Sequence, residues 1–215
     1  MQAAPAITRR SEARAVPAVA RVAVWISVVI AVAAVIRRLF ALASPSSSGP
    51  PELASLDQTF QQHAVLTVAH ILPALIFVLL TPLVLFRKSG WAERLLFPIG
   101  AIVGITAYAM SAYSVGGWIE RSAVLLFDSV FLYSLWRAFG QRRDPEIKRR
   151  WLLRAIVVLL GIATTRPVMG IFFATSRITH LNPSQFFGIA FWIGFSINFL
   201  AVEIWVRNRR RGERL

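Results

Sequence analysis

The residues of this chain able to do chemistry are the few charged or ring-bearing side chains set deep inside long apolar blocks. A charge in such a place costs free energy and persists where it meets a partner or a wet cavity. His70 lies six residues inside a block beginning at Ala64, and Asp128 six inside one beginning at Ser122. Tyr113 stands six residues before Ile119, and Arg166 seven before Phe173. At ~1.5 Å of helical rise per residue, each is ~9–10 Å below the same interface. That depth predicts one polar layer in which Asp128 pairs with Arg166, the only acid and base at that level, with His70 and Tyr113 completing the hydrogen bonds. Arg154 and Glu203, each three residues from the opposite end of their blocks, form a predicted second ion pair. The chemistry open to the first set is ligand binding or proton handling. Matched pairs neutralise themselves, so holding the bundle together is the simpler role for both.

The histidines set a limit on cofactors. His63 and His70 are seven residues apart, so they share a helix face but stand ~10.5 Å apart along its axis. They cannot clamp one haem iron between them, and the third histidine, His180, falls in a loop. Haem or quinone bound through His70 is the alternative to a cofactor-free protein. With no cysteine in the chain, disulfides, cysteine-ligated iron–sulfur clusters, covalent c-type haem and thiol catalysis are excluded. There is no glycine loop for phosphate, no dinucleotide fingerprint, no His-Glu-x-x-His and no nucleophile elbow, and no metal site is expected. Asn182-Pro183-Ser184 fails as a glycosylation acceptor because proline occupies its middle position.

The elements that must position these residues are helices of membrane-spanning length. Of 215 residues, 56% are hydrophobic and 16% charged; soluble domains average about 25% charged. The apolar residues gather into blocks of about 20, the helix length that crosses a bilayer core. Six are read: Val16–Ile36, Ala64–Phe86, Leu95–Ile119, Ser122–Phe139, Trp151–Phe173 and Phe186–Val206. The fold class is therefore all-α, an integral membrane bundle of six transmembrane helices. A basic N-terminus (1–15), an external loop (37–63) and a basic tail (207–215) complete it. Ser44–Pro51 is a flexible stretch of that loop. Gly100-x-x-x-Gly104 marks close approach to a neighbouring helix of the same chain.

Charge gives the orientation. Twenty-two of the 24 basic residues are arginines, in short clusters between blocks. Arg9, Arg10, Arg14 and Arg21 precede the first block; Arg87, Lys88 and Arg94 follow the second. Arg137, Arg142, Arg143, Lys148, Arg149 and Arg150 follow the fourth, and Arg207, Arg209, Arg210, Arg211 and Arg214 end the chain. Those eighteen lie on one side; Arg37, Arg38, Arg121 and Arg177 lie on the other. Both termini are expected in the cytoplasm. The +14 net charge thus belongs to topology; no groove- or base-reading motif accompanies it, and no nucleic acid is expected as a partner. A rival reading makes the first block a signal peptide cut near Ala41-Leu42-Ala43, against which Arg37 and Arg38 argue by lying between apolar run and cleavage site.

The stretch His70-Ile-Leu-Pro-Ala-Leu-Ile-Phe-Val-Leu-Leu-Thr-Pro-Leu, continuing through Gly116-Gly117 to Lys148-Arg149-Arg150-Trp151-Leu152-Leu153-Arg154 and Arg166, resembles a family of bacterial multi-pass membrane proteins, the domain of unknown function twenty-three-zero-six. The resemblance covers about residues 63–173. That family has a histidine where Lys148 stands and a His-Arg pair where this chain has Trp91 to Arg94; losing both speaks against a histidine-held cofactor. The expectation is a binding, transport-like or accessory membrane module rather than an enzyme on its own. Its partners would be the bilayer and a small or lipid-like ligand; the alternative is a membrane redox protein.

Overall fold

The computed structural model describes residues 18–43, 51–141, 143–180 and 183–212. The N-terminal segment 1–15, the stretch 44–50 and residues 213–215 lie outside them. The described residues are all-α: α1 (Ala18–Ala43), α2 (Pro51–Gln62), α3 (Ala64–Leu85), α4 (Gly90–Ser111), α5 (Gly117–Gly140), α6 (Pro145–Leu159), α7 (Gly161–Thr179) and α8 (Pro183–Gly212). With α6 and α7 taken as one unit, six helices are long and apolar enough to cross a membrane.

Local chemistry sets several boundaries. Asp144 caps α6 by accepting from the Glu146 and Ile147 amides, both at 3.0 Å, and Pro145 follows at the helix start, where a missing N–H costs nothing. Between α4 and α5 the chain reverses through Gly117 at φ +60°, a conformation that side-chain-bearing residues rarely adopt. α6 stops at Leu159 and α7 starts at Gly161, so the fifth apolar block is a single crossing with a break.

Three expectations are corrected here. Segment 37–63 is not a plain loop, since α1 continues through Arg37 and Arg38 to Ala43 and α2 occupies Pro51–Gln62. The third block does not reach Ile119: α4 ends at Ser111, and Trp118 to Arg121 belong to α5. Tyr113 therefore sits in the α4–α5 turn and not inside a helix. The fifth block begins at Pro145 and is interrupted, rather than running unbroken from Trp151.

Side-chain contacts establish the helix directions. Arg21 near the start of α1 lies over the Phe86 ring at the end of α3. Lys148 at the start of α6 pairs with Glu93 at the start of α4, and Arg137 at the end of α5 covers Trp151. Those ends gather at the face where the described chain starts and stops, called here the terminal end. At the opposite face, the α2 end, His63 stacks on Tyr113 with ring centroids 3.6 Å apart. Phe77, Leu96, Phe131, Ile156 and Phe186 fill the core. Gly100 and Gly104 let α4 settle against Phe77 of α3 and Leu132 and Leu135 of α5, where an added Cβ would collide. α1 is the loosest crossing-length helix: Val24, Val28 and Ala31, spaced at about one helical turn, are its buried residues, and it packs on α3 and α7.

Candidate functional site

A cavity of about 570 Å³ lies inside the bundle, walled mainly by apolar side chains from α1, α3, α4, α5, α7 and α8. All four residues expected to form the polar layer, His70, Tyr113, Asp128 and Arg166, line it. The arrangement is not the one expected. No ion pair joins Asp128 to Arg166; Asp128 Oδ2 and Arg166 Nε are both shut from solvent and without a hydrogen-bond partner among the described residues. Depth does not separate them: Asp128 is eleven residues inside α5, about 16 Å by helical rise, and Arg166 thirteen residues before the end of α7, about 20 Å. Arg166 instead feels Arg38 and Arg37 of α1, charges of its own sign.

Each polar group reaches the cavity for a local reason. His70 projects from the second turn of α3, and its Nδ1 lies 3.0 Å from Thr106 Oγ1 of α4. That hydroxyl also lies 2.7 Å from the Ile102 carbonyl and 3.0 Å from that of Val103. One hydroxyl proton serves the carbonyls, so the oxygen accepts from His70 Nδ1–H, and the Nε2 lone pair remains available (a tautomer assigned from these bonds). Arg166 stands five residues past the α6–α7 break and directly before Pro167. Proline carries no N–H, so the Ala163 carbonyl, on a residue lining the cavity, loses its usual helical donor.

Three more groups at the α2 end escaped the sequence reading. Asp57 of α2 takes Arg38 at 2.5 Å and Arg37 at 3.1 Å, and Arg38 also covers the Phe60 ring at 4.0 Å. Arg37, Arg38, Phe60 and His63 line the cavity, so α2 and the end of α1 form its cap. Glu120, buried and also on the wall, accepts from the Gly116 amide at 2.6 Å, closing the first turn of α5. A signal for α2 was present: Leu53, Leu56 and Phe60 recur at helical spacing.

Arg154 and Glu203 lie apart from the cavity, toward the terminal end. The structure brings them together as a two-pronged pair, with Nε to Oε1 at 2.5 Å and Nη2 to Oε2 at 3.1 Å. Arg154 also stacks over Trp151 at 4.5 Å. One step further in, Asn198 of α8 accepts from Thr164 at 2.7 Å and donates to the Val157 carbonyl at 2.8 Å, tying α6, α7 and α8 together across the break.

The described residues contain no group of three or more His, Asp or Glu placed to hold a metal ion. What the site can do is bind. It combines a large apolar volume, capped at one end by two arginines sharing the one carboxylate of Asp57, with two polar atoms that no group among the described residues satisfies. No family model, curated protein or solved structure matches the chain.

Proposed function

We propose that the chain is a multi-pass protein of a bacterial cytoplasmic membrane that receives a small, lipid-like molecule in its interior cavity. Six crossing-length apolar helices support insertion. So do the large apolar side chains they turn outward, such as Val29 and Ile105, each 65% exposed, with Phe40, Ile171 and Leu200; water would not tolerate so much exposed apolar surface. In the sequence, eighteen basic residues fall on one side of the apolar blocks and four on the other, which supports both termini in the cytoplasm and the cavity cap facing outward. The observation that carries the binding reading is the cavity itself. A protein interior is normally packed to crystal density and satisfies its polar groups, and this one does neither.

Two measurements test it. Reporter fusions should show a periplasm-active enzyme working after His180 and a cytoplasm-dependent fluorophore lighting after Leu215; the reverse pattern would refute the orientation. Native mass spectrometry of gently extracted protein should retain a lipid-sized adduct at one per chain. Ala34→Phe or Ala107→Phe, which fill the cavity from two different helices, should each reduce it at least tenfold. An adduct unchanged in both would refute binding in the cavity. A Soret band lost in His70→Ala would favour the redox reading instead.

A further inference from the structure

The unsatisfied atoms of the cavity point to the chemistry of what fills it. Arg166 is a permanent cation with no carboxylate partner, and a guanidinium in that position is complementary to a carboxylate or phosphate. Most of the other charged groups around the cavity have partners of their own. Arg37 and Arg38 line the same space, and Asp57 is engaged with both of them. Glu120 is turned to the backbone of the α4–α5 turn. None of the carboxylates around the cavity is therefore paired with Arg166. Asp128 Oδ2, on another helix of the wall, lacks a donor, and Arg166 does not supply one. Apolar side chains such as Ala34, Ile71, Val103 and Phe191 make up most of the remaining wall, where an acyl chain loses contact with water at about 0.8 kcal/mol per buried CH₂.

We infer that the cavity takes a single-chain amphiphile whose headgroup places an anionic group on Arg166 and a hydroxyl or ammonium donor on Asp128, its tail lying among the apolar residues of the bundle. This rests on the binding reading above and specifies its ligand. The two unpaired atoms would then be satisfied together by one molecule, which explains why the chain leaves them open to the same space without joining them.

The test is competition binding to the full-length protein in detergent with four oleoyl probes. Oleate carries a carboxylate, lysophosphatidate a phosphate, lysophosphatidylethanolamine a phosphate and an ammonium, and oleyl alcohol no charge. The three anionic probes should bind at least tenfold more tightly than the alcohol. Arg166→Gln should erase that preference, while Arg166→Lys, which keeps the charge without the fork, should retain part of it. Lysophosphatidylethanolamine should exceed lysophosphatidate by severalfold, and Asp128→Asn should remove that margin alone. Oleate above lysophosphatidate identifies a carboxylate ligand, and the opposite order a phosphate; either agrees with the inference. Oleyl alcohol binding as tightly as the anions, or a preference for anions intact in Arg166→Gln, would overturn it while leaving a binding cavity standing. No binding by any of the four, with Ala34→Phe also silent, would remove the cavity reading itself.

Discussion

Two polar regions of this bundle use the same residue types to opposite effect. Toward the terminal end, Arg154 meets Glu203 with two parallel hydrogen bonds, and Asn198 close by has its carbonyl and its amide both engaged. Toward the α2 end, Arg166 and Asp128 face one cavity and ignore each other. An arginine and an acid in an apolar helix are costly wherever they sit. The first region recovers that cost within the chain and so explains itself as architecture. The second does not, and that is why it is read as a site. The difference is one of polar matching.

The largest expected effect breaks the matched side. Arg154→Gln or Glu203→Gln strands one charge among apolar neighbours, an outcome that typically costs about 3–5 kcal/mol. For a chain of this size, 1 kcal/mol shifts the thermal midpoint by about 2–4 °C, so either variant should lose on the order of ten degrees in detergent. Arg154→Met combined with Glu203→Leu removes both charges and should recover most of the loss. If the single variants are as stable as the parent, or the double is the sum of the two, the pair does not act as a unit.

The cavity side should respond in the other direction. Arg166→Gln removes an unpaired cation and breaks no ion pair. It should stabilise the ligand-free protein by about 1–2 kcal/mol and raise its midpoint accordingly, a fraction of the ~2.5–3.5 kcal/mol that a central arginine costs on insertion. Asp128→Asn should not lower the midpoint, and the two changes should add, because the groups do not touch. A destabilised Arg166→Gln, rescued by Asp128→Asn, would show that the two pair after all and that the two regions are alike.

How far the sequence reveals these regions depends on where helix ends fall. Arg154 and Glu203 were legible as neighbours because each is close to an arginine-rich block end. There, errors in the boundary are small and both residues keep the same depth. Asp128 and Arg166 were legible as buried charges but not as separate ones. Ala112 to Ile119 carries no charge, so hydropathy runs straight through the turn at Gly116-Gly117 and delays the start of α5. A helix start misplaced by five residues moves Asp128 by about 7 Å, but ending α7 at Thr179 rather than Phe173 moves Arg166 by about 9 Å, so the two keep a similar depth and depth alone could not tell whether they meet. The six-helix count survives such errors because it depends on total apolar length. Asp57 was missed for a related reason. A 12-residue amphipathic helix (Pro51–Gln62) is too short to register as a span, and its Asp57 holds two arginines that only the tertiary fold brings within reach.

The smallest effect lies at the boundary between the two kinds of region, at His70. Its Nδ1 is satisfied by Thr106, so on that side it resembles the matched group, while Nε2 is left available to the cavity. Thr106→Val keeps the shape and β-branching of the side chain and removes the hydroxyl that accepts from Nδ1–H. Losing a partner for a buried donor costs about 1–3 kcal/mol when nothing replaces it, but here a tautomer shift offers a way out. The proton can move to Nε2 and face the cavity. The expected loss is therefore near the lower end, about 1 kcal/mol or a few degrees, with a change in the imidazole nitrogen shifts by NMR that reports the swapped tautomer. If Thr106→Val instead costs as much as breaking the Arg154–Glu203 pair, His70 is part of the framework and the cavity has one fewer group to offer a ligand. If it changes neither stability nor the nitrogen shifts, the bond to Thr106 does not orient the ring, and His70 is free to turn toward whatever the cavity holds.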